Sequence, residues 1–320
     1  MEATEKDVTA NGVRLHVVEE GEGPLVLLCH GWPELAHSWR HQIPALVDAG
    51  YRVVAPDMRG FGASDAPASI EDYTLLHLVG DMVALVAASG ARTATIVGHD
   101  WGALVAWTSA MLRPDIFTAV VGMSVPHQAR APVPPLTVLR ARGVTRFYWQ
   151  YFQEPGVAEA ELQADVGRSL RMILVGRPSG PKATPLPWTL AGDGGLLDTI
   201  AYPETLPDWL TEADLATLVR AYQRSGFRGG LNWYRNIDRN WALLAPWQDA
   251  LIRQPALFIA GARDPVIHPA FPGGALERLK ETVPGLRRST IVMDAGHWIQ
   301  QEKPAEVNAA LLGFLADTRG

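Results

Sequence analysis

Asp100, Asp264 and His297 are the side chains of this sequence whose types and order could supply a nucleophile, an acid and a base. Asp100 is the central residue of Gly98-His99-Asp100-Trp101-Gly102. A carboxylate is already ionised near neutral pH, so it can attack without a base to remove a proton. Such attack suits displacement at a saturated carbon and leaves an alkyl ester on the protein. His297, oriented by Asp264, could then activate water against that ester.

The segment around Asp100 is predicted to form a strand, a sharp turn and a helix. A turn of this kind strains its central residue, and small residues at positions 98 and 102 let the strand and the helix approach closely. The arrangement resembles the nucleophile elbow of the α/β-hydrolase fold, in which a serine usually stands where this chain has Asp100. The fold class implied is α/β, with a mainly parallel sheet, helices on both faces and an inserted helical cap.

Further apolar segments alternate with helical ones, which favours a mainly parallel sheet covered on both faces. Asp264 and His297 follow the last two predicted strands, in the chain order nucleophile, acid, base. No carboxylate follows the strand that ends near Ser124, so Asp264 is the predicted acid. The predicted strands are Val13–Val18 at the sheet edge, Pro24–His30, Tyr51–Asp57, Ala94–Val97, Ala119–Val125, Ala256–Gly261 and Thr290–Met293.

The middle of the chain has a different character. Several prolines after Pro126 break the alternation of strands and helices, and the segment up to Trp247 is rich in aromatic residues with no clear buried strand. We interpret residues 127–247 as a mostly helical cap inserted between core segments 1–126 and 248–320. Within the cap, Pro178 to Gly195 is predicted to be a long irregular loop because proline and glycine cluster there.

The loop after the first buried strand, His30-Gly31-Trp32-Pro33-Glu34, is a candidate for binding negative charge. Gly31 permits unusual backbone angles and Pro33 fixes the direction of the chain that follows. A loop so constrained can present backbone N–H groups to a ligand. We therefore expect the backbone N–H groups of Trp32 and Trp101 to form an oxyanion hole.

Composition excludes several other classes of function. The chain has 28 basic and 34 acidic residues, a formal charge of −6, and no block of Lys or Arg, so nucleic acid is not an expected partner. No apolar run approaches the roughly 18 residues that span a bilayer, and the N-terminus has no signal region, so we expect a cytoplasmic protein. The single cysteine, Cys29, lies in an apolar strand and is predicted to be a buried thiol. We expect no cofactor and no metal, and a monomer or a homodimer.

Two leaving groups fit attack by Asp100, an epoxide oxygen and a halide. Epoxide opening develops alkoxide charge and needs an acid, for which tyrosine hydroxyls of the cap are suited. Halide departure needs weak donors such as the indole N–H of Trp101. These residues alone leave both reactions open. A ligand-binding protein on a hydrolase scaffold would be indicated by a missing member of the three, and none is missing.

Motifs in the core and the cap together resemble the soluble epoxide hydrolases. The matching segments are His30-Gly31-Trp32-Pro33-Glu34, Pro56-Asp57-Met58-Arg59-Gly60, the elbow at 98–102, Tyr151-Phe152-Gln153-Glu154-Pro155-Gly156, Ser225-Gly226-Phe227-Arg228-Gly229 and Leu231-Asn232-Trp233-Tyr234-Arg235-Asn236. Haloalkane dehalogenases share the core motifs but not those of the cap. The family more often has Phe where Trp32 stands, with little expected consequence because the backbone performs the role.

The resemblance implies a small lipophilic epoxide as substrate and two tyrosines as proton donors. By this resemblance the donors are Tyr148 and Tyr234, although Tyr151 lies one helical turn from Tyr148 and spacing does not exclude it. The implied substrate pocket contains Pro33, Trp101, Phe152 and Trp298.

Overall fold

A computed structural model of the chain describes residues 4–178, 186–190, 192–268 and 276–318. The ten described strands are β1 Thr4–Ala10, β2 Val13–Glu20, β3 Leu25–Cys29, β4 Arg52–Pro56, β5 Ala94–His99, β6 Phe117–Met123, β7 Arg177–Pro178, β8 Ile200–Ala201, β9 Ala256–Gly261 and β10 Leu286–Val292. The thirteen described α-helices are α1 Gln42–Asp48, α2 Leu75–Ala88, α3 Trp101–Leu112, α4 Pro135–Ala141, α5 Tyr148–Tyr151, α6 Val157–Ala164, α7 Val166–Val175, α8 Glu212–Ser225, α9 Arg228–Arg235, α10 Ile237–Leu243, α11 Leu279–Thr282, α12 Ile299–Glu302 and α13 Pro304–Thr318. Short 3-10 helices cover Ala36–Trp39, Ile70–Tyr73, Leu197–Thr199, Ala245–Trp247, Pro265–Ile267 and Leu276–Arg278.

The chain divides into two compact units. The first consists of Met1–Arg59, Leu75–Ala129 and Trp247–Gly320, and the second of Gly60–Thr74 and Arg130–Pro246. The first unit contains an eight-stranded sheet in the order β1-β2-β4-β3-β5-β6-β9-β10. Strand pairs β1/β2 and β2/β4 are antiparallel and all later neighbours are parallel. The prediction of a mainly parallel sheet is confirmed.

Helices cover both faces of this sheet. Val26 and Leu28 of β3 belong to a core that also contains buried residues of α1 and α13. Since side chains alternate along a strand, Cys29 points to the opposite face, where its Sγ lies 3.3 Å from Sδ of Met82 in α2. Cys29 is fully buried, and this burial raises the pKa of its thiol. The cysteine therefore packs as an apolar side chain, as predicted.

The N-terminal edge of the sheet differs from the prediction. Val13–Val18 was expected to be the edge strand, but β1 pairs along its outer side, so β2 is an inner strand. The two strands are joined by Asn11 and Gly12, which have φ of 50° and 78°. Asn-Gly with both φ values positive is the preferred two-residue hairpin turn. β1 was missed because its outward side chains are polar and exposed, as edge strands often are.

The boundary between the two units differs from the predicted one. Segment Gly60–Thr74 was assigned to the core by sequence and instead groups with the second unit. The physical reason is that the guanidinium of Arg228 in α9 donates to the carbonyl oxygens of Ala66, Pro67 and Ala68.

The second unit is mainly helical and contains α4 to α10. Its described strands are β7 and β8, which pair over two residues and were too short to be predicted. Part of the predicted irregular loop, residues 179–185 and 191, lies outside the described residues. In the part that is described, Thr189 makes an isolated bridge with Phe147.

Candidate active site

Asp100 lies in the turn between β5 and α3. Its φ of 53° and ψ of −121° are strained for a residue other than glycine. A Cβ atom at Gly98 would meet the carbonyl oxygen of Gly102, and one at Gly102 would meet the carbonyl oxygen of Cys29. Strand and helix therefore approach so closely that both positions require glycine. The turn presents the Asp100 carboxylate beyond the carboxyl end of β5.

The loop after β3 contacts one oxygen of this carboxylate. The backbone N–H of Trp32 donates to Oδ1 of Asp100 over 2.9 Å. A Cβ atom at Gly31 would collide with the same carboxylate, so glycine is what allows the loop to come this near. Trp101 begins α3, and the N–H groups of a first helical turn point toward its N-terminal end, which is the Asp100 side. Oδ1 thus lies where backbone donors can stabilise negative charge.

Asp264 and His297 form a hydrogen-bonded pair at the carboxyl ends of β9 and β10. His297 Nδ1 lies 3.0 Å from Oδ2 of Asp264, whose other oxygen, Oδ1, accepts from the backbone N–H of Val266 over 2.9 Å. The Asp264 side chain is 0% exposed. Burial raises the pKa of Asp264, but the charge and the hydrogen bond of His297 outweigh burial and hold that pKa below its usual value. Asp264 is therefore a carboxylate that fixes the orientation of the imidazole.

The other ring nitrogen of His297 faces Asp100. Nε2 lies 3.7 Å from Oδ2 of Asp100, and both side chains are 16% exposed. Burial lowers the pKa of His297, but the carboxylates of Asp264 and Asp100 outweigh burial and hold the pKa well above its usual value. The two carboxylates therefore favour the imidazolium form of His297. Loss of the charge on Asp100 would remove one of these two influences and let the pKa of His297 fall.

His99 contacts the backbone of His297, and the sequence had indicated no role for it. Its Nε2 lies 2.7 Å from the carbonyl oxygen of His297, and its Nδ1 lies 2.7 Å from Oε2 of Glu34. Both partners are acceptors, so each ring nitrogen of His99 is placed to donate. The hydroxyl of Ser124 donates to the same His297 carbonyl oxygen over 2.9 Å. Two donors thus fix the backbone from which the His297 side chain projects.

Glu34 connects this support to the loop that holds Asp100. Its Oε1 accepts from the side-chain amides of Gln300 and Gln301 over 2.8 and 2.9 Å, and its Oε2 accepts from the N–H of Gly31 over 3.3 Å. Burial raises the pKa of Glu34, but the charge and hydrogen bond of His99 outweigh burial and hold that pKa below its usual value. In the sequence, Glu34 lies in the motif at 30–34 and His99 in the elbow at 98–102. Their places in these two motifs were the only signal for this network.

The predicted proton donors, Tyr148 and Tyr234, lie together in the second unit. Their ring centroids are 5.7 Å apart with an interplanar angle of 68°. Phe152, which was predicted to line the pocket, is 0% exposed and packs edge-on against both rings, at 5.6 Å from Tyr148 and 5.0 Å from Tyr234. The hydroxyl of Tyr151 instead donates to Oε2 of Glu161 over 2.9 Å. These contacts favour Tyr148 over Tyr151 as the partner of Tyr234.

The remaining predicted pocket residues belong to the first unit. Pro33, Trp101 and Trp298 are buried there. The ring of Trp298 lies edge-on to that of His297, with centroids 4.7 Å apart. Trp298 therefore covers one side of the imidazole with an apolar surface.

Among residues 4–178, 186–190, 192–268 and 276–318, no three His, Cys, Asp or Glu side chains are grouped so that they could hold a metal ion. Within the same ranges no helix is long and apolar enough to cross a membrane.

Comparison with known proteins identifies the family. Residues 24–174 match the family described as alpha/beta hydrolase fold. The chain is 48% identical to epoxide hydrolase A of Mycobacterium tuberculosis over 98% of this chain and 97% of that protein. The crystal structure of epoxide hydrolase A from Mycobacterium thermoresistibile is similar with a TM-score of 0.93 and 50% identity, covering 98% of both chains. An epoxide hydrolase structure from Vigna radiata gives a TM-score of 0.91 at 38% identity, covering 99% of this chain and 98% of the other. The chain belongs to the epoxide hydrolases of the α/β-hydrolase fold.

Proposed function

We propose that this epoxide hydrolase converts lipophilic epoxides into vicinal diols through an alkyl ester on Asp100. The observation that carries the proposal is the different environment of the two Asp100 oxygens. Oδ1 accepts a backbone hydrogen bond from Trp32, whereas Oδ2 faces Nε2 of His297 at 3.7 Å. One oxygen is thus held by a backbone donor and the other is the one available to attack.

In the first step Oδ2 attacks a carbon of the epoxide ring and the C–O bond to the ring oxygen breaks. The leaving oxygen takes a proton from one of the hydroxyls of Tyr148 and Tyr234, so the products are a hydroxyalkyl ester and a tyrosinate. Asp100 has no charge once it is an ester, which leaves Asp264 as the carboxylate that raises the pKa of His297. The imidazolium then loses its proton, through solvent, to the tyrosinate. Both tyrosine hydroxyls are then protonated again, and His297 is a neutral base for the second step.

In the second step neutral His297 removes a proton from water, which attacks the ester carbon of Asp100. The oxyanion forms on Oδ1, where the N–H of Trp32 donates and where the N–H of Trp101 is proposed to donate as well. Collapse of this intermediate breaks the bond between the ester carbon and Oδ2, the leaving oxygen takes the proton of the hydroxyl that came from water, and the diol is released. The Asp100 carboxylate and the imidazolium are regenerated. The oxygen incorporated from water therefore ends in the carboxylate of Asp100.

The experiment that tests this proposal uses His297→Ala, which removes the base for the second step only. The variant is exposed to styrene oxide or to a primary bromoalkane, and its intact mass is measured. We expect an increase equal to the whole mass of the epoxide and no adduct with the bromoalkane. The double variant His297→Ala/Asp100→Ala should form no adduct, and His16→Ala, a histidine of β2, should turn over like the wild type.

Three other results would contradict the proposal. Addition of an alkyl group with release of bromide would assign the site to haloalkanes. An epoxide adduct that persists in the Asp100→Ala double variant would place the nucleophile elsewhere. No adduct with either compound, together with wild-type protein that binds the epoxide without turnover, would indicate a ligand-binding protein.

A further inference from the structure

We infer that Gln153 and Arg235 are positioning residues that set the geometry of the two tyrosine donors. The inference rests on the proposed roles of Tyr148 and Tyr234 and deepens them. Both residues act on the backbone at the ends of the helices that carry the tyrosines.

Gln153 joins the C-terminal ends of α5 and α9. Its Nε2 donates to the carbonyl oxygen of Trp149 over 2.8 Å and to the carbonyl oxygen of Tyr234 over 3.0 Å. Trp149 follows Tyr148 in α5, so one amide group contacts the backbone of both tyrosine helices. Carbonyl groups in the last turn of a helix have no intrahelical donor, which makes them available to a side chain of this kind. The amide therefore serves as a shared cap.

Arg235 makes a second connection between the same two ends. It is the last residue of α9, and its Nε donates to the carbonyl oxygen of Phe152, directly after α5, over 2.9 Å. Its side chain is 2% exposed and pairs with Glu159 at 2.7 Å. Burial raises the pKa of Glu159, but the hydrogen bonds of Arg235 outweigh burial and hold that pKa below its usual value. A buried, paired guanidinium thus locks the position of α9 against the chain that follows α5.

Ring opening in the proposed mechanism requires two tyrosine hydroxyls to donate to one epoxide oxygen. Tyr148 and Tyr234 must both reach the same epoxide oxygen within about 2.6–3.2 Å. α5 is one turn long and cannot hold its own position, so the distance between the hydroxyls depends on contacts outside the helix. An error of about 1 Å in such a placement costs up to roughly 100-fold in rate. Loss of the Gln153 amide should therefore slow ring opening.

The test is Gln153→Met, which keeps the side-chain length and removes both hydrogen bonds. Ester formation and ester breakdown are measured separately by rapid quenching and intact mass, with styrene oxide in single turnover. We expect ester formation to slow by about 10- to 100-fold and ester breakdown, which depends on His297, to stay within about twofold. Gln153→Glu should slow ester formation at least as much, because it places a carboxylate oxygen, which cannot donate, against the two carbonyl oxygens.

The matched control is Gln150→Met in the same helix. Gln150 bonds instead to the backbone of Phe147 and Val144, in the segment that leads into α5. We expect its rate of ester formation to stay within about threefold of wild type. Equal slowing by both glutamine variants, or slowing of ester breakdown in parallel with ester formation, would show a general structural effect and overturn the inference.

A double-mutant cycle separates this inference from the proposed function. If Gln153 acts through the tyrosines, Gln153→Met should have little effect in a Tyr148→Phe/Tyr234→Phe background. A full effect in that background would refute the positioning role. If Tyr148→Phe and Tyr234→Phe do not slow ring opening in otherwise wild-type protein, the proposed donor role itself fails. If they do and Gln153→Met does not, the inference alone fails.

Discussion

Asp264→Asn should stop hydrolysis of the Asp100 ester while leaving its formation intact. Oδ1 of Asp264 accepts from the N–H of Val266, and Oδ2 faces Nδ1 of His297 at 3.0 Å. An asparagine must keep its carbonyl oxygen on the Val266 N–H, so its NH2 group points at His297. Nδ1 then has to accept a hydrogen bond, which places the neutral ring proton on Nε2. A ring protonated on Nε2 cannot take a proton from water.

The size of the effect follows from this change of tautomer. In the serine hydrolase template, the same exchange of an orienting aspartate lowers kcat by about 10⁴-fold with the geometry intact. We expect breakdown of the ester to slow by about 10³- to 10⁴-fold, which corresponds to about 4–5.5 kcal/mol of activation free energy. Formation of the ester should stay within about fivefold, because attack by a carboxylate needs no base.

Rapid mixing with styrene oxide, acid quenching and intact mass measure the two steps in one experiment. We expect the amount of ester adduct, measured by intact mass, to rise rapidly and then to decay very slowly. Asp294→Asn provides a matched control, since that carboxylate is also near the carboxyl end of β10 but its side chain is 82% exposed. The reasoning is refuted if steady-state turnover of Asp264→Asn stays within tenfold of wild type, or if ester formation and breakdown slow together.

Two predictions concern stability. Gly98→Ala should lower the free energy of unfolding by about 3 kcal/mol or more, because the new Cβ would meet the Gly102 carbonyl oxygen. Urea denaturation measures this loss beside Gly313→Ala in α13, where the atom nearest to a new Cβ is 3.5 Å away. Equal stability of the two variants would contradict the prediction. The raised pKa of His297 stabilises the folded state fully below pH ~6.5 and less as pH rises through that pKa. The difference in unfolding free energy between wild type and His297→Gln should therefore shrink as pH rises above about 6.5, and a constant difference would contradict the assignment.

The proximity of Asp100, Asp264 and His297 could be predicted because each follows a strand of a parallel sheet. Carboxyl ends of neighbouring parallel strands meet at one edge, so the order of motifs along the chain is enough to bring side chains together. The need for glycine at positions 98 and 102 could also be predicted, because a sharp turn brings the strand and the helix on either side of it close together.

Side-chain networks could not be predicted in the same way. His99 and the His297 carbonyl are 198 positions apart in the chain, and Gln153 and the Tyr234 carbonyl are 81 apart. No periodicity or strand-end rule relates such pairs, because their contact depends on how irregular loops and short helices pack. The grouping of Gly60–Thr74 with the second unit was missed for the same reason, since it rests on side chains distant in sequence, such as Arg228, which reaches three carbonyl groups, and Asn236, which reaches the carbonyl oxygen of Ile70.

In the proposed mechanism, the charge of Asp100 explains why one histidine can serve a reaction whose first step needs no base. The Asp100 carboxylate helps to raise the pKa of His297 and so favours the imidazolium, which is not a nucleophile. Formation of the proposed ester would remove that charge and let the pKa fall before water has to be activated, and hydrolysis would restore it. The order of the two proposed steps would then follow from the interaction between Oδ2 of Asp100 and Nε2 of His297, which lie 3.7 Å apart, with His99 and Asp264 holding His297 in place.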